Sequence, residues 1–148
     1  RPELVGHLDL LRRHGGEDPA LATPAVQERV RSVLALAKEQ DAILDINTAA
    51  YRKGLSTPYP APWLLEAARE VGVMAPSHRS PVIARRYRLE AAREVGVACC
   101  FGDDAHRIGE VGAGIPEARD YLLAHGVETV TTLYREGSGL GRREVSLR

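Results

Sequence analysis

The sequence predicts an α/β fold in which parallel strands are covered by helices, as in an open doubly wound sheet or a piece of a barrel. Short apolar runs alternate with helical stripes along the chain, and glycine, proline and aspartate mark the changes between them. The apolar runs are rich in β-branched residues, whereas the helical segments close on glycine.

Glu3 to Gly6 reads as a short buried strand, and His7 to His14 as a loop or one helical turn ending at Gly15-Gly16. Thr23-Pro24 opens a helix that ends near Gln40, with a capping hydroxyl, a proline at the first helical position and an inner stripe of Val26, Val30, Val33, Leu34 and Ala37. Ala42 to Asn47 is a strand, and Thr48 to Pro60, with its prolines and glycine, is expected to be one long loop. Ala61 to Val71 forms a helix with Leu64, Leu65, Ala68 and Val71 on one face, closed by Gly72. Val97 to Phe101 is a further buried strand, Pro116 to His125 a helix closed by Gly126, and Val127 to Tyr134 a β-rich run.

One segment breaks this order. Leu65 to Val73 recurs letter for letter at Leu89 to Val97, yet the stretches before the two copies, Pro58 to Leu64 and Val82 to Arg88, do not resemble each other. A structural repeat would extend beyond the identical letters. The pattern points instead to recombination, with Met74 to Val97 as inserted sequence. Ser80-Pro81 is a sound helix start, so Pro81 to Val95 is expected to be helical, and two copies of one helix compete for one slot against the sheet. Because the second copy runs directly into the strand that holds Cys99, it is expected to take that slot and to displace Ala61 to Val73.

At 148 residues with 44% hydrophobic content the chain can bury an ordinary core. Twenty basic and twenty acidic side chains cancel, so no general field favours a nucleic-acid backbone or an anionic membrane, and neither is expected as a partner. No apolar run suits a bilayer span or a signal core, and a cytoplasmic location is expected. Cys99 and Cys100, adjacent in an apolar run, suit a reducing compartment and read as small buried hydrophobes.

The sharpest chemical signal is Phe101-Gly102-Asp103-Asp104-Ala105-His106, where a strand gives way to a polar loop. In parallel α/β folds that edge is the usual ligand-binding edge. Asp104 and His106 lie two residues apart, so in an extended segment carboxylate and imidazole reach the same side and one divalent ion. The plainer alternative has Asp103 and Asp104 capping a helix while His106 is solvated. Gly6-His7-Leu8-Asp9 offers a second imidazole with a carboxylate at a strand end. His14 and His125, each before a glycine, read as helix caps, and His78 as structural. In Asn47-Thr48-Ala49-Ala50-Tyr51-Arg52-Lys53-Gly54 an arginine fork suits a phosphate dianion, with a solvated basic turn as the alternative; Arg107 would add a cation to the same mouth. No glycine-rich phosphate loop, nucleophile elbow or Cys-x-x-Cys pair occurs.

Taken in order, Val5-Gly6-His7-Leu8-Asp9, Asp45-Ile46-Asn47-Thr48-Ala49 with Arg52-Lys53, Tyr59-Pro60-Ala61-Pro62, and Phe101 to His106 with Glu110-Val111-Gly112 resemble the carboxy-terminal half of histidinol-phosphatases of the PHP (polymerase and histidinol phosphatase) superfamily. The resemblance implies a partial PHP domain over residues 1–148, interrupted at 74–97, from a distorted seven-stranded β/α barrel with parallel strands and outer helices. It implies up to three divalent ions, zinc, manganese or iron, at the carboxy-terminal strand ends. His7, Asp104 and His106 would be metal ligands, with Asp104 and His106 at the catalytic centre, while Arg52, Arg107 and Lys53 would hold the substrate phosphate. Asp103 stands where many relatives have serine or aspartate. The family's amino-terminal His-x-His pair and remaining ligands are expected upstream of Arg1, which itself leads straight into the first strand as a truncated reading frame would.

The implied activity is metal-dependent hydrolysis of L-histidinol phosphate to L-histidinol and phosphate in histidine biosynthesis. The alternatives are another PHP phosphoesterase, or a catalytically silent fragment or binding module lacking the amino-terminal ligands.

Overall fold

The computed structural model describes residues 2–15, 23–71 and 97–148. The helix expected over 81–95, His78, Gly16, Gly72 and the extra segment up to residue 96 lie outside the described residues.

Three short strands, β1 (Leu4–Val5), β2 (Ile43–Asn47) and β3 (Cys99–Gly102), form a parallel sheet in the order β1-β2-β3. Val5 pairs with Leu44 and Asn47 with Gly102, so all three strands end at one edge. The connecting elements are α1 (Arg12–Gly15), α2 (Pro24–Glu39), α3 (Ala49–Arg52), α4 (Pro62–Glu70), a 3-10 turn (Ile108–Glu110) and α5 (Ile115–Ala124). The described residues therefore make a mixed α/β fold with a parallel sheet. No helix among them is long and apolar enough to cross a membrane.

The two faces of β2 differ because side chains alternate along a strand. Leu44 and Ile46 join Leu34 and Ala37 of α2, Leu64, Leu65 and Ala68 of α4, and Ala118 and Leu122 of α5 in one apolar core. Burying each large aliphatic side chain there contributes roughly 1.5–3 kcal/mol. Ile43, Asp45 and Asn47 occupy the other set of alternate positions, and all of them are buried. Cys99 belongs to the core, and burial pushes its thiol up to about 12.

Four expectations are corrected. The stretch after Asn47 is not one loop: the Asn47 side-chain oxygen accepts the Ala49 N–H at 2.9 Å and starts the helical turn α3, and Asn47 and Tyr59 then form a two-bond antiparallel bridge. Thr23 stands at the start of α2, but its hydroxyl makes no capping bond; the stripe is also narrower than expected, with Leu34 and Ala37 buried and Val33 44% exposed. The first copy of the repeated helix holds the core slot, since Leu64, Leu65, Ala67 and Ala68 of α4 are buried. The physical reason lies just ahead of the repeat: Leu64 precedes the first copy, whereas Arg88 precedes the second. The chain returns to this helix at Val97, whose N–H bonds the Ala68 carbonyl at 3.1 Å.

The fourth correction concerns the carboxy-terminal end, where β4 (Thr129–Glu136) and β5 (Gly139–Ser146) form an antiparallel hairpin rather than further parallel strands. Gly137, at φ 59°, and Ser138 make the tight turn. A turn this short can only return a strand antiparallel, because a parallel return needs a crossover. Val130 and Leu147 seat the hairpin in the core. Arg142 fixes it to the amino-terminal ends of the sheet strands, donating from Nη1 to the Asp41 carbonyl and carboxylate, both at 2.9 Å, and from Nη2 to the Glu3 carboxylate.

Candidate functional site

The carboxy-terminal edge of the parallel sheet gathers the residues singled out in the sequence. His7 follows β1, Asn47 and Thr48 lead from β2 into α3, and Asp103 to His106 follow β3. His7 and Asp104 both adopt the left-handed backbone, at φ 53° and 47°, a conformation that residues other than glycine seldom take. Asp41, in the turn before β2, does so too, so the feature is not confined to this edge.

Polar contacts define the loop after β3. Asp103 accepts the Ala105 N–H at 3.1 Å through Oδ1 and the Gly112 N–H at 2.6 Å through Oδ2. These donors, Gly112 first, hold its carboxyl below the usual range. Asp103 thus braces the two ends of the loop rather than capping a helix. Glu110 Oε2 accepts the His106 N–H at 2.9 Å, and that bond, with the nearby Arg52 and Arg107 charges, lowers its pKa. Nδ1 of His106 lies 2.8 Å from the Asp104 carbonyl, which can only accept. A hydrogen bond there needs the proton on Nδ1, which leaves Nε2 as the ring nitrogen not engaged by the loop.

Arg52 joins α3 to this loop. Its Nη2 donates to the Asp103 carbonyl at 2.6 Å and the Asp104 carbonyl at 3.0 Å, and its Nε lies 3.8 Å from Glu110 Oε2. Lys53 Nζ lies 3.9 Å from Asp104 Oδ2. Arg13, Arg52, Lys53, Asp104, His106, Arg107 and Glu110 line one recess of about 500 Å³. The structure thus brings five expected residues together, Arg52, Lys53, Asp104, His106 and Arg107.

His7 stands apart from that recess lining. Its ring packs against Tyr59, with centroids 5.7 Å apart, and its charge acts on Asp45. Among the described residues, no three His, Cys, Asp or Glu side chains are grouped closely enough to hold an ion. His7, Asp104 and His106 share one edge of the sheet, but the described residues do not by themselves complete a metal site.

Sequence reasoning assigned no role to Arg12, Arg13, Asp45 and Glu110 at this edge, and it offered Asp9 as a strand-end carboxylate beside His7. Arg13 and Glu110 join the recess. Asp9, beside His7 in sequence, is buried and structural: its Oδ2 accepts the Ala61 N–H at 2.7 Å and lies 3.3 Å from Arg12 Nη1. Arg12, only 2% exposed, also donates to the Pro58 carbonyl and the Thr57 hydroxyl, pinning the 57–61 loop to α1. Asp45, on β2, receives the Asn47 amide N–H at 2.9 Å. Burial raises its pKa, the Asn47 donor and His7 lower it, and Asp104 and Asp103 raise it. A lone aspartate within the apolar run 42–46 was the available signal.

No family model matches the chain. Over 134 residues it is 32% identical to a protein of Deinococcus radiodurans named probable histidinol-phosphatase, a match covering 90% of this chain and 40% of that protein. It is 26% identical over 143 residues to a Schizosaccharomyces pombe protein of the same name, covering 95% of this chain and 39% of the relative. The chain is therefore distantly related to proteins named as phosphatases, and it spans about 40% of the length of these curated relatives.

Proposed function

We propose that the protein carrying this chain hydrolyses L-histidinol phosphate to L-histidinol and phosphate, and that the recess at the strand ends receives the phosphoryl group. The observation that supports this reading most is the set of four cations, Arg13, Arg52, Lys53 and Arg107, lining one cavity with His106. Set against Asp104 and Glu110, they leave a formal surplus of two positive charges, which matches a monoester dianion. The names of both relatives agree with it.

In this reading the cations bind and orient the phosphoryl oxygens, and they neutralise charge that builds there as the ester bond breaks. His106, whose Nδ1 is taken by the Asp104 carbonyl, has Nε2 left to hold a divalent ion in the whole protein. Asp104 provides the carboxylate nearest to it in sequence. Divalent ions in such hydrolases lower the pKa of bound water. The described residues do not complete an ion site, so ion binding is proposed for the whole protein rather than for this chain.

Phosphate release from L-histidinol phosphate by the whole protein, with zinc, manganese or iron supplied in turn, tests the proposal. Release from this ester in preference to nucleotides and sugar phosphates supports it, and no release under any ion rejects it. A second reading, a phosphate-binding module without turnover, draws on the incomplete donor set. Saturable phosphate binding with no hydrolysis would favour it.

A further inference from the structure

We infer that the recess is built for a phosphate monoester that also carries an amine close to its ester oxygen, with Glu110 receiving the ammonium while the cations hold the phosphoryl group. This inference rests on the phosphatase reading and assigns one residue of the site to substrate choice. A cavity meant for a phosphoryl dianion alone gains nothing from an ionised carboxylate in its wall, because the two repel. Two carboxylates nevertheless share this wall with the four cations.

Their situations differ. Asp104 lies 3.9 Å from the Lys53 ammonium, beyond hydrogen-bond length, and no hydrogen bond among the described residues holds its carboxylate. Glu110 is held from behind by the His106 N–H at 2.9 Å, within a loop that Asp103 ties across to Gly112. Its Oε2 lies 3.8 Å from Arg52 Nε, beyond hydrogen-bond length. Its Oε1 makes no hydrogen bond among the described residues, so the carboxylate is positioned without being consumed by a tight pair. A fixed, charged acceptor beside a phosphate-sized cluster of cations matches a ligand whose positive and negative ends are separated by a short carbon chain. L-Histidinol phosphate is such a molecule.

Calorimetric titration of the protein with O-phosphoethanolamine and with ethyl phosphate, at one pH and ionic strength, compares two esters that differ only in the amine. The amine-bearing ester is expected to bind about tenfold more tightly, the worth of one charged hydrogen bond. Glu110→Gln keeps an acceptor for the His106 N–H but removes the charge, and it should bring the ratio of affinities close to one. Glu110→Asp should restore part of the preference, and circular dichroism establishes that each variant is folded. Equal affinity for both esters in the unaltered protein, no binding of either, or an unchanged ratio in Glu110→Gln overturns the inference. Phosphate release by the whole protein is read separately. Release without an amine preference would leave the phosphatase reading standing and overturn the role of Glu110, whereas a preference without release would do the reverse.

Discussion

A Cβ placed on Gly102 would lie 2.2 Å from Oδ1 of Asp45, so the carboxylate occupies space that exists only because β3 ends in glycine. Gly6, just after β1, flanks it, with its own Cβ position 3.6 Å from Oδ2. Gly102→Ala should destabilise the fold by about 1–3 kcal/mol, as overpacking commonly does. Combined with Asp45→Ala the loss should be smaller than the sum of the single losses, because the clash has been removed. Urea denaturation of the four proteins measures this, and strictly additive losses would count against the contact.

Asp45 also predicts a pH effect on stability. Burial raises its folded pKa above the ordinary value of 3.8, so the folded state holds a proton that the unfolded chain has already released. Its contribution therefore falls as pH rises from 3.8 through the raised folded value. Asp45→Asn removes that loss, so the variant should gain stability relative to the unaltered protein across the same window. Parallel stability curves would show that the carboxyl is not perturbed.

Arg52→Lys keeps the charge but loses the planar fork that reaches the Asp103 and Asp104 carbonyls. In the whole protein kcat/KM for a phosphate monoester should fall on the order of tenfold or more, in line with the loss of charged hydrogen bonds. Unchanged kinetics would return Arg52 to a solvated turn.

The incomplete donor set predicts that this chain, expressed alone, keeps no stoichiometric zinc or manganese through gel filtration. Metal analysis checks this, and one tightly held ion per chain would contradict it. In the whole protein, His106→Ala should lower bound metal and phosphatase activity together.

Residues 74–97 can be removed as a test of their origin. Val97 already lies within a hydrogen bond of Ala68 on α4, so the two sides of the segment meet in the fold. The deletion protein should be at least as stable in urea as the full chain. A clear loss would make the segment an integral part of the structure.

Periodicity and punctuation made most of the framework legible. Pro24 opens its helix as expected, the helix expected over 61–71 forms as α4, and Gly126 at φ 72° closes α5. The three parallel strands fall within a residue or two of their predicted limits, but β1 is not buried as expected, since its two residues sit at the rim of the sheet with Leu4 41% exposed. His125 caps α5 as read, with Nδ1 2.8 Å from the Tyr121 carbonyl. Nothing within the repeated letters could show which copy meets the sheet, because identical letters have identical propensity; the difference, Leu64 against Arg88, lies just outside them, and the burial of Leu64 appears only in the fold. The same limit explains Asp9, which the sequence sets beside His7 and which the fold uses to anchor Ala61. Glu110 became legible only when the loop brought it back to His106 and Arg52.

The side chain of Asn47 works in one direction only. Its nitrogen gives a proton to Asp45 and its oxygen takes one from the Ala49 amide, so neither end can be exchanged. Deamidation at this one position would turn the donor into a second carboxylate, facing Asp45 at hydrogen-bond distance inside a buried strand. Chemical ageing of a single amide would then loosen the start of α3, and with it the arginine that α3 presents to the loop after β3.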